Sequence, residues 1–360
     1  MNLKLAVIPT DPIQAYKNAG ISSWLKDYYN PLQFFDKVYL LSPLEKIKRY
    51  EFGMHIIPTN PADLKRQIKQ IGIDLVRAYG SYWACDMACD NKVPGVPVVV
   101  SVHDTFLRNL HDSIKKADII LCVSGAVKQH VLTKVKELDK IWILPNRVDF
   151  NVMSPKPLLK PIRLNKACDY KYRILHVGRT SNEKNLDTLI KSLAILGTGY
   201  CIVAIGKGNV TKYMKIADAH KVLEQCFFID SVPNEELAGY YTWASCMCTP
   251  SRSEGFGIVF IEALACGAIV VTSDIAPINE YIKHMENGLL VKNYEDPQSL
   301  AEWIRIACCD QKIRKNIKQK ARNSVKIFDK NNIDKLEVEY YKKVLLLKNQ
   351  NMFNTAFSNS

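Results

Sequence analysis

The chain has 360 residues, of which 49 are Lys or Arg and 36 are Asp or Glu, so its formal net charge is +13 at pH 7. The length predicts two domains, and the 48% hydrophobic and 24% charged fractions exclude a disordered chain. Apolar runs stay shorter than the ~18–20 residues that cross a bilayer, and residues 3–8 are too few and wrongly flanked for a signal peptide.

Short apolar, β-branched runs recur along the chain, each followed by a segment of helical length. In the first half they occupy residues 3–8, 37–41, 74–78, 97–103, 118–123 and 141–144. In the second half they occupy residues 173–177, 200–205, 226–229, 245–249, 268–272 and 289–291. Several are apolar at every position, which is typical of strands covered on both faces. The alternation predicts two doubly wound, Rossmann-like domains with parallel sheets.

A Pro- and Lys-rich stretch separates the two halves and predicts an interdomain linker. We therefore expect an N-terminal domain at residues 1–155, a linker at 156–171 and a C-terminal domain at 172–325. Residues 326–348 read as a basic amphipathic helix, and residues 349–360 as a flexible polar tail.

Eleven cysteines are scattered through the chain without a Cys-x-x-Cys pair. Their spacings are not those of a usual zinc site, and their number is odd. We expect reduced, mostly buried thiols in a cytoplasmic protein and no bound metal.

The most informative segment is TPSRSEGFGIVFIEA at residues 249–263, directly after a predicted strand. Gly255 and Gly257 bracket a turn that leads into a helix of about residues 258–265. Because the free amides and the dipole of a helix N-terminus favour an anion, this turn suits a phosphate.

Two carboxylates flank this helix start. Glu254 lies just before the helix, and Glu262 lies beyond its first turn, where a carboxylate could accept two ribose hydroxyls. Taken singly, Glu254 could be a helix-capping carboxylate and Glu262 an ordinary surface glutamate. Their combination with Gly-Phe-Gly favours a functional site.

This segment resembles the E-x7-E signature of the retaining family-4 glycosyltransferases (glycosyl transferases group 1, GT-B fold). The resemblance rests on PS at 250–251, EGFG at 254–257, EA at 262–263, ACG at 265–267 and VV at 270–271. Further matches are HVGR at 176–179, EKN at 183–185, IGKG at 205–208, PNRVD at 145–149 and NGLLV at 287–291. It implies two Rossmann-like domains facing a cleft, with the C-terminal helix crossing back to the first domain.

The resemblance also implies the binding roles in the second domain. Arg179 and Lys184, with Gly178 before them, would neutralise the diphosphate of a nucleotide-sugar donor. The backbone around Gly255, Phe256, Gly257 and Ile258 would bind the same diphosphate. Glu262 would hold the ribose, and Glu254 would orient hydroxyls of the donor sugar. In isolation, Arg179 and Lys184 would read as two solvated charges beside a turn.

In the first domain, His103 closes a predicted strand, and family members often carry a histidine here near the transferred sugar. Its alternative is a structural histidine held by a loop carbonyl. Asp104 and Arg108 are candidates for acceptor contacts. Gly20 is our candidate for the glycine with which many relatives open the first helix toward the diphosphate.

We therefore expect a metal-independent, retaining glycosyltransferase without a cofactor. It would move a sugar from a UDP- or GDP-linked donor to a saccharide or lipid-linked acceptor. One alternative is a nucleotide-sugar epimerase of the same fold. A remote one is a basic nucleic-acid-binding protein, which only the net charge supports.

The positive charge is concentrated at the two ends of the chain. Residues 1–165 carry a net +8 and residues 301–360 a net +7, whereas residues 166–300 carry a net −2. On charge alone, solvated helix faces explain this best. With the C-terminal helix on the first domain, however, we expect a basic face that makes peripheral contact with an anionic membrane through helices at residues 126–138 and 333–347.

Overall fold

The computed structural model describes residues 2–18, 20, 22–157 and 162–357. The chain divides into two compact units, Met1–Asn146 with Asn331–Ser360, and Arg147–Lys330. The second unit therefore begins before the predicted linker, because Arg322 donates hydrogen bonds to the carbonyls of Phe150 and Met153. Positions 158–161 of that linker lie outside the described residues.

The first unit is built on an eight-stranded sheet with the strand order β3-β4-β2-β1-β5-β6-β7-β8. Only β3 runs antiparallel to its neighbour. The strands are β1 (Lys4–Ile8), β2 (Lys37–Ser42), β3 (Arg49–Glu51), β4 (Met54–Pro58), β5 (Leu75–Tyr79), β6 (Val98–Val102), β7 (Ile119–Cys122) and β8 (Ile141–Ile143). All five residues of β6 are buried, as its continuous apolar run predicts for a central parallel strand.

The helices of this unit are α1 (Ile13–Asn18), α2 (Leu25–Tyr29), α3 (Pro61–Ile71), α4 (Trp83–Cys89) and α5 (Gly125–Val131). The expectation of one helix over residues 126–138 is wrong, since α5 ends at Val131. There the Thr133 hydroxyl donates to the carbonyl of His130 at 2.7 Å, a local bond that competes with the helical pattern.

The sequence did not predict the hairpin of β3 and β4. Its strands are joined by Phe52 and Gly53, both with positive φ (48° and 73°), as a tight two-residue hairpin turn requires. A glycine at only the second turn position, after a strand of three residues, is a weak signal. The hairpin adds an edge to the predicted sheet without changing its order.

The C-terminal helix α13 (Lys330–Phe357) packs on the first unit. Its Ile333, Tyr341 and Val344 belong to the same apolar core as Leu5 and Val99 of the sheet. The helix continues past residue 348, where a flexible tail was expected, because neither Gly nor Pro interrupts it. Residues 358–360 lie outside the described residues.

The second unit contains a six-stranded, fully parallel sheet with the order β11-β10-β9-β12-β13-β14. Its strands are β9 (Tyr172–Val177), β10 (Tyr200–Ile205), β11 (Cys226–Ile229), β12 (Cys246–Thr249), β13 (Val270–Ser273) and β14 (Leu289–Val291). Its helices are α6 (Leu186–Leu196), α7 (Val210–Ala219), α8 (Asn234–Trp243), α9 (Ile258–Ala265), α10 (Ile278–Tyr281), α11 (Pro297–Cys309) and α12 (Gln311–Ser324).

Local chemistry explains where several of these helices begin. Asp296 caps α11 by accepting from the amides of Gln298 and Ser299, and Asp310 caps α12 by accepting from the amide of Ile313. Nine of the eleven cysteines are buried, and all are free thiols. Among the helices of the described residues, none is both long and apolar enough to cross a bilayer.

Candidate donor-binding site

Two of the four predicted charged residues of the second unit, Lys184 and Glu254, meet at the carboxyl end of its sheet. Lys184 follows β9, and Glu254 follows β12, the neighbouring strand. The Nζ atom of Lys184 lies 2.6 Å from Oε1 of Glu254, and the two side chains are only 16% and 8% exposed. Ser251 donates its hydroxyl to the same Oε1 at 2.8 Å.

This pairing leaves both groups with binding capacity. An ammonium has three donors, so Lys184 can keep Glu254 and still bind a phosphate oxygen. The second carboxylate oxygen of Glu254 accepts from neither Lys184 nor Ser251, which both donate to Oε1. The ion pair thus holds a cation that can bind phosphate next to a carboxylate that can accept hydrogen bonds from hydroxyl groups.

Three glycines bring the loops after β9 and β10 together. The amide of Gly178 donates to the carbonyl of Ile205 at 3.0 Å. A Cβ atom on Gly206 would lie 1.9 Å from the carbonyl oxygen of Gly178, and one on Gly208 would lie 2.2 Å from the Thr180 hydroxyl. Only glycine allows this close approach, which fixes the turn that carries Arg179 and Lys184.

Arg179 is exposed at that turn. The pKa of Glu183 is lowered, mainly by the Ser181 side chain and also by the charge of Arg179.

The N-terminus of α9 is held in a defined conformation. Gly257, at the N-cap, has a φ of 81°, and a Cβ atom there would lie 2.6 Å from the Phe260 ring. The Tyr281 hydroxyl donates to the carbonyls of Phe256 and Gly257 at 2.7 and 3.2 Å. Ile258, the first residue of the helix, is 37% exposed, so the helix start is open to solvent.

Phe256 contributes its backbone rather than its side chain. Its ring is buried against Tyr281 and Phe328, with centroid separations of 5.6 and 5.4 Å. Ligand binding by the backbone of residues 255–258 stays a prediction. The ring anchors the loop in the core.

Glu262 is buried, which excludes the reading of an ordinary surface glutamate. It lies on the second turn of α9, is 9% exposed and accepts a hydrogen bond from the Tyr241 hydroxyl at 3.1 Å. Burial raises the pKa of Glu262 to about 7, against the lowering effect of Tyr241. A buried carboxyl with one partner is suited to further hydroxyl donors.

Arg252 is a site residue that the sequence reasoning did not single out. Its guanidinium binds Glu295 at 2.7 and 2.8 Å, Asp187 at 3.1 and 3.2 Å, and the carbonyl of Asn182 at 2.6 Å. Its amide donates to the carbonyl of Glu183 at 2.7 Å. Burial alone would raise the pKa of Asp187, but the bonds from Arg252 outweigh it and lower that pKa.

Arg252 therefore ties the loop that carries Glu254 to the turn that carries Lys184. The sequence contains one hint, an arginine two residues before the glutamate of the motif. Its partners are distant in the chain and could not be found from spacing.

The predicted residues of the first unit lie in a different environment. His103 directly follows β6, and its ring lies 6.3 Å from that of Tyr79, nearly parallel to it. Burial lowers the pKa of His103 to about 4, and the charge of Arg77 acts in the same direction. His103 is thus a neutral imidazole at pH 7.

Asp104 and Arg108 make local contacts within the same loop. Asp104 accepts from the amide of Phe106 and from the Asn109 side chain at 2.9 and 3.0 Å. The Arg108 guanidinium lies 5.5 Å from the Phe106 ring centroid. Gly20 follows α1 and lies twelve residues beyond the end of β1. The turn between β1 and α1 contains Pro9 and Pro12 instead, so the structure does not place Gly20 at that turn.

A surface cavity of about 480 Å³ lies along the edge strand β11. Its lining consists of Val210, Met214 and residues 226–230. None of the predicted donor-binding residues is among the residues that line this cavity. The candidate site is therefore the set of loops after β9, β10 and β12, and not the cavity.

Two family models match the chain. The model described as "Glycosyl transferases group 1" covers residues 164–324, which include every predicted donor-binding residue of the second unit. The model described as "Glycosyltransferase Family 4" covers residues 40–152 of the first unit. The chain is a glycosyltransferase of this group 1, family 4 type. Its two parallel-sheet units are those of the GT-B fold.

Relatives of this glycosyltransferase come from distant organisms. It is 26% identical over 297 residues to an uncharacterised glycosyltransferase of Methanocaldococcus jannaschii, covering 78% of this chain and 76% of that protein. It is 31% identical over 229 residues to a Campylobacter jejuni N-acetylgalactosaminyltransferase that acts on a diphospho-undecaprenol-linked sugar. That match covers 62% of this chain and 60% of the relative.

Among solved structures, Anabaena HepE in complex with UDP and glucose is similar to this glycosyltransferase. The TM-score is 0.78 with 16% sequence identity, and the match covers 95% of this chain and all of the other. At this identity the likeness shows the shared fold.

Proposed function

We propose that this glycosyltransferase moves a sugar from a nucleotide-diphosphate donor to a saccharide or lipid-linked acceptor with retention of the anomeric configuration. The observation that carries the proposal is the Lys184–Glu254 pair, 2.6 Å apart between the loops after β9 and β12. UDP bound to the Anabaena structure and the diphospho-undecaprenol substrate of the Campylobacter relative support these classes of donor and acceptor.

The residues divide the work by charge. Arg179, Lys184 and the amides at the start of α9 bind the diphosphate and stabilise the negative charge that grows as it leaves. Glu262 accepts from the ribose hydroxyls, and Glu254 accepts from hydroxyls of the donor sugar. Two cations and a helix N-terminus can neutralise the leaving group, so we propose that no metal is required.

Retention follows if the acceptor attacks from the face that the diphosphate leaves. The bond between the anomeric carbon and the phosphate oxygen breaks, and the acceptor oxygen bonds to that carbon. The acceptor's proton passes to the departing phosphate oxygen. A neutral His103 is a hydrogen-bond partner for the transferred sugar, which stays our prediction for the first unit.

The test is to incubate the purified protein with UDP- and GDP-sugars and with saccharide or polyprenyl-diphosphate acceptors, with and without EDTA. Product mass and the proton NMR coupling of the new anomeric centre are measured. We expect an acceptor-dependent glycoside with the donor's configuration, formed equally with EDTA. An inverted product would contradict retention, and an altered sugar formed without acceptor would indicate an epimerase.

A further inference from the structure

Residues 43–50, which comprise the connection between β2 and β3 and the first two residues of β3, display three large apolar side chains at the surface of the first unit. Leu44 is 41% exposed, Ile47 is 70% exposed and Tyr50 is 67% exposed. A single exposed apolar residue is ordinary, but three within seven residues are a local concentration of apolar surface. We call this segment the apolar loop.

Buried and half-buried ion pairs hold the apolar loop in place from below. Glu45, 7% exposed, accepts from the amide of Ile13 at 2.7 Å and from the Arg49 guanidinium at 2.8 Å. Arg49 also donates to the carbonyl of Ile47 at 3.2 Å and to Glu51 at 3.0 Å. Since the backbone is fixed at residues 45, 47 and 49, the apolar side chains stay outside the core.

The charges that the apolar loop presents to solvent are positive. Lys46 and Lys48 are exposed and alternate with the apolar side chains, and neither has an ion pair among the described residues. The acidic residue of the loop, Glu45, is buried and paired with Arg49. The surface is therefore apolar and cationic together.

The predicted membrane helices differ in this respect. In the segment at 126–138, Lys134 is paired with Asp112 at 2.8 Å, and in α13 Lys342 is paired with Glu339 at 2.8 Å. Their positive charge is partly compensated by neighbouring carboxylates. The apolar loop combines uncompensated lysines with exposed Leu, Ile and Tyr.

We propose that the apolar loop inserts into the interface of an anionic phospholipid bilayer. Leu44 and Ile47 would enter the boundary of the acyl chains, Tyr50 would lie at the headgroup level, and Lys46 and Lys48 would contact lipid phosphates. A protein partner fits less well, because the centres of protein interfaces are depleted in lysine. This inference goes beyond the proposed function and does not depend on the donor site.

The test is co-sedimentation of the full chain with vesicles of phosphatidylcholine alone or mixed with phosphatidylglycerol, at low and at physiological salt. We expect binding to the mixed vesicles only, weakened by salt. The variant Lys46→Glu/Lys48→Glu should bind at least tenfold more weakly. The variant Leu44→Ser/Ile47→Ser/Tyr50→Ser should lose binding at physiological salt.

Two control variants test whether vesicle binding depends on the apolar loop itself or on net charge and exposed apolar side chains anywhere on the chain. Lys312→Glu/Lys315→Glu makes the same change of net charge on exposed residues of α12, and Ile327→Ser removes an apolar side chain that is 65% exposed. Both should bind as the wild type does. Each variant is first checked for native melting temperature and for donor binding, which the loop changes should leave unaltered.

Three results would overturn the proposal. They are a wild-type chain that ignores anionic vesicles, loop variants that bind as tightly as the wild type, and controls that lose binding equally. A loop variant that changes only self-association, measured by analytical ultracentrifugation, would assign the loop to a protein contact instead.

Discussion

At the scale of single residues, Glu262 combines burial with the ribose-binding role that we propose for its carboxylate. Its carboxyl is 9% exposed and has one side-chain partner, Tyr241. Burial raises its pKa to about 7, so near neutral pH the protonated and ionised forms coexist. A ribose would supply the hydrogen bonds that favour the ionised form.

Glu262→Gln tests this environment through stability. Because the folded-state pKa lies above the unfolded value of about 4.5, the native protein holds the proton more tightly, and stability falls as pH rises from about 4.5 through 7. The variant lacks this loss. We expect its free energy of unfolding, relative to wild type, to rise by roughly 2–3 kcal/mol between pH 5 and 8 in urea titrations.

The exposed Glu302 supplies the control. Glu302→Gln should show no such change with pH. A difference between Glu262→Gln and wild type that stays constant from pH 5 to 8 would contradict the burial argument.

Lys184 and Arg179 are the residues on which the leaving-group chemistry depends. Removing one donor to a developing charge commonly costs about 10²–10³ in kcat. We therefore expect Lys184→Ala and Arg179→Ala each to lower kcat by about a hundredfold or more, with an unchanged circular dichroism spectrum. Lys312→Ala should turn over as the wild type does, and near-normal turnover in both site variants would refute this diphosphate site.

At the scale of elements, one arginine connects three segments of the second unit. Arg252 joins the loop after β12 to the turn after β9, to the first turn of α6 through Asp187, and to Glu295. Because Glu254 and Lys184 are on two of the joined segments, their separation of 2.6 Å depends on this tie. Arg252 thus acts as a positioning residue.

We expect Arg252→Lys and Arg252→Ala to weaken donor binding, although residue 252 itself would not contact the donor. A lysine ammonium cannot span Asp187 and Glu295 with paired bonds, so the lysine variant should fall between alanine and wild type. We expect Arg252→Ala to lose about 1–3 kcal/mol of stability and to raise KM for the donor more than it lowers kcat. Urea unfolding and steady-state kinetics check this, and wild-type values for both variants would exclude the tie.

The elements also show what the sequence could and could not predict. All twelve predicted strands are present. Continuous apolar runs such as Val98–Val102 are buried along their whole length, as strands inside a parallel sheet are. The β3–β4 hairpin was missed because β3 has only three residues and the turn has a glycine at only its second position. The prediction of a long helix at 126–138 was wrong because hydrophobic periodicity carries no information about the hydrogen bond from the Thr133 hydroxyl to the carbonyl of His130.

The site was predicted to a similar extent. The motifs placed Lys184 and Glu254 after strands, and the structure brings these two side chains together, whereas their binding roles and that of Glu262 stay predictions. The contacts of Arg252 with Asp187 and Glu295 were not predicted, because they join positions 65 and 43 residues apart. Side-chain tethers of this kind arise only when the loops are folded.

At the scale of the whole molecule, the net charge of +13 has more than one cause. Some of the 49 basic side chains are paired with carboxylates, as Lys134 and Lys342 are, whereas Lys46 and Lys48 are presented beside apolar side chains. The charge near the donor site in the second unit is a separate feature, formed by Arg179 and Lys184. The overall composition alone therefore reveals neither the positive charge of the apolar loop nor that of Arg179 and Lys184.

We propose that the second unit binds a nucleotide-sugar donor at Lys184, Glu254 and the start of α9. The most direct measurement is calorimetric titration of UDP- and GDP-sugars into the wild type, Lys184→Ala and Lys312→Ala. We predict that one donor class binds the wild type and Lys312→Ala alike and binds Lys184→Ala at least tenfold more weakly. Equal affinity of all three proteins for that donor would contradict the account.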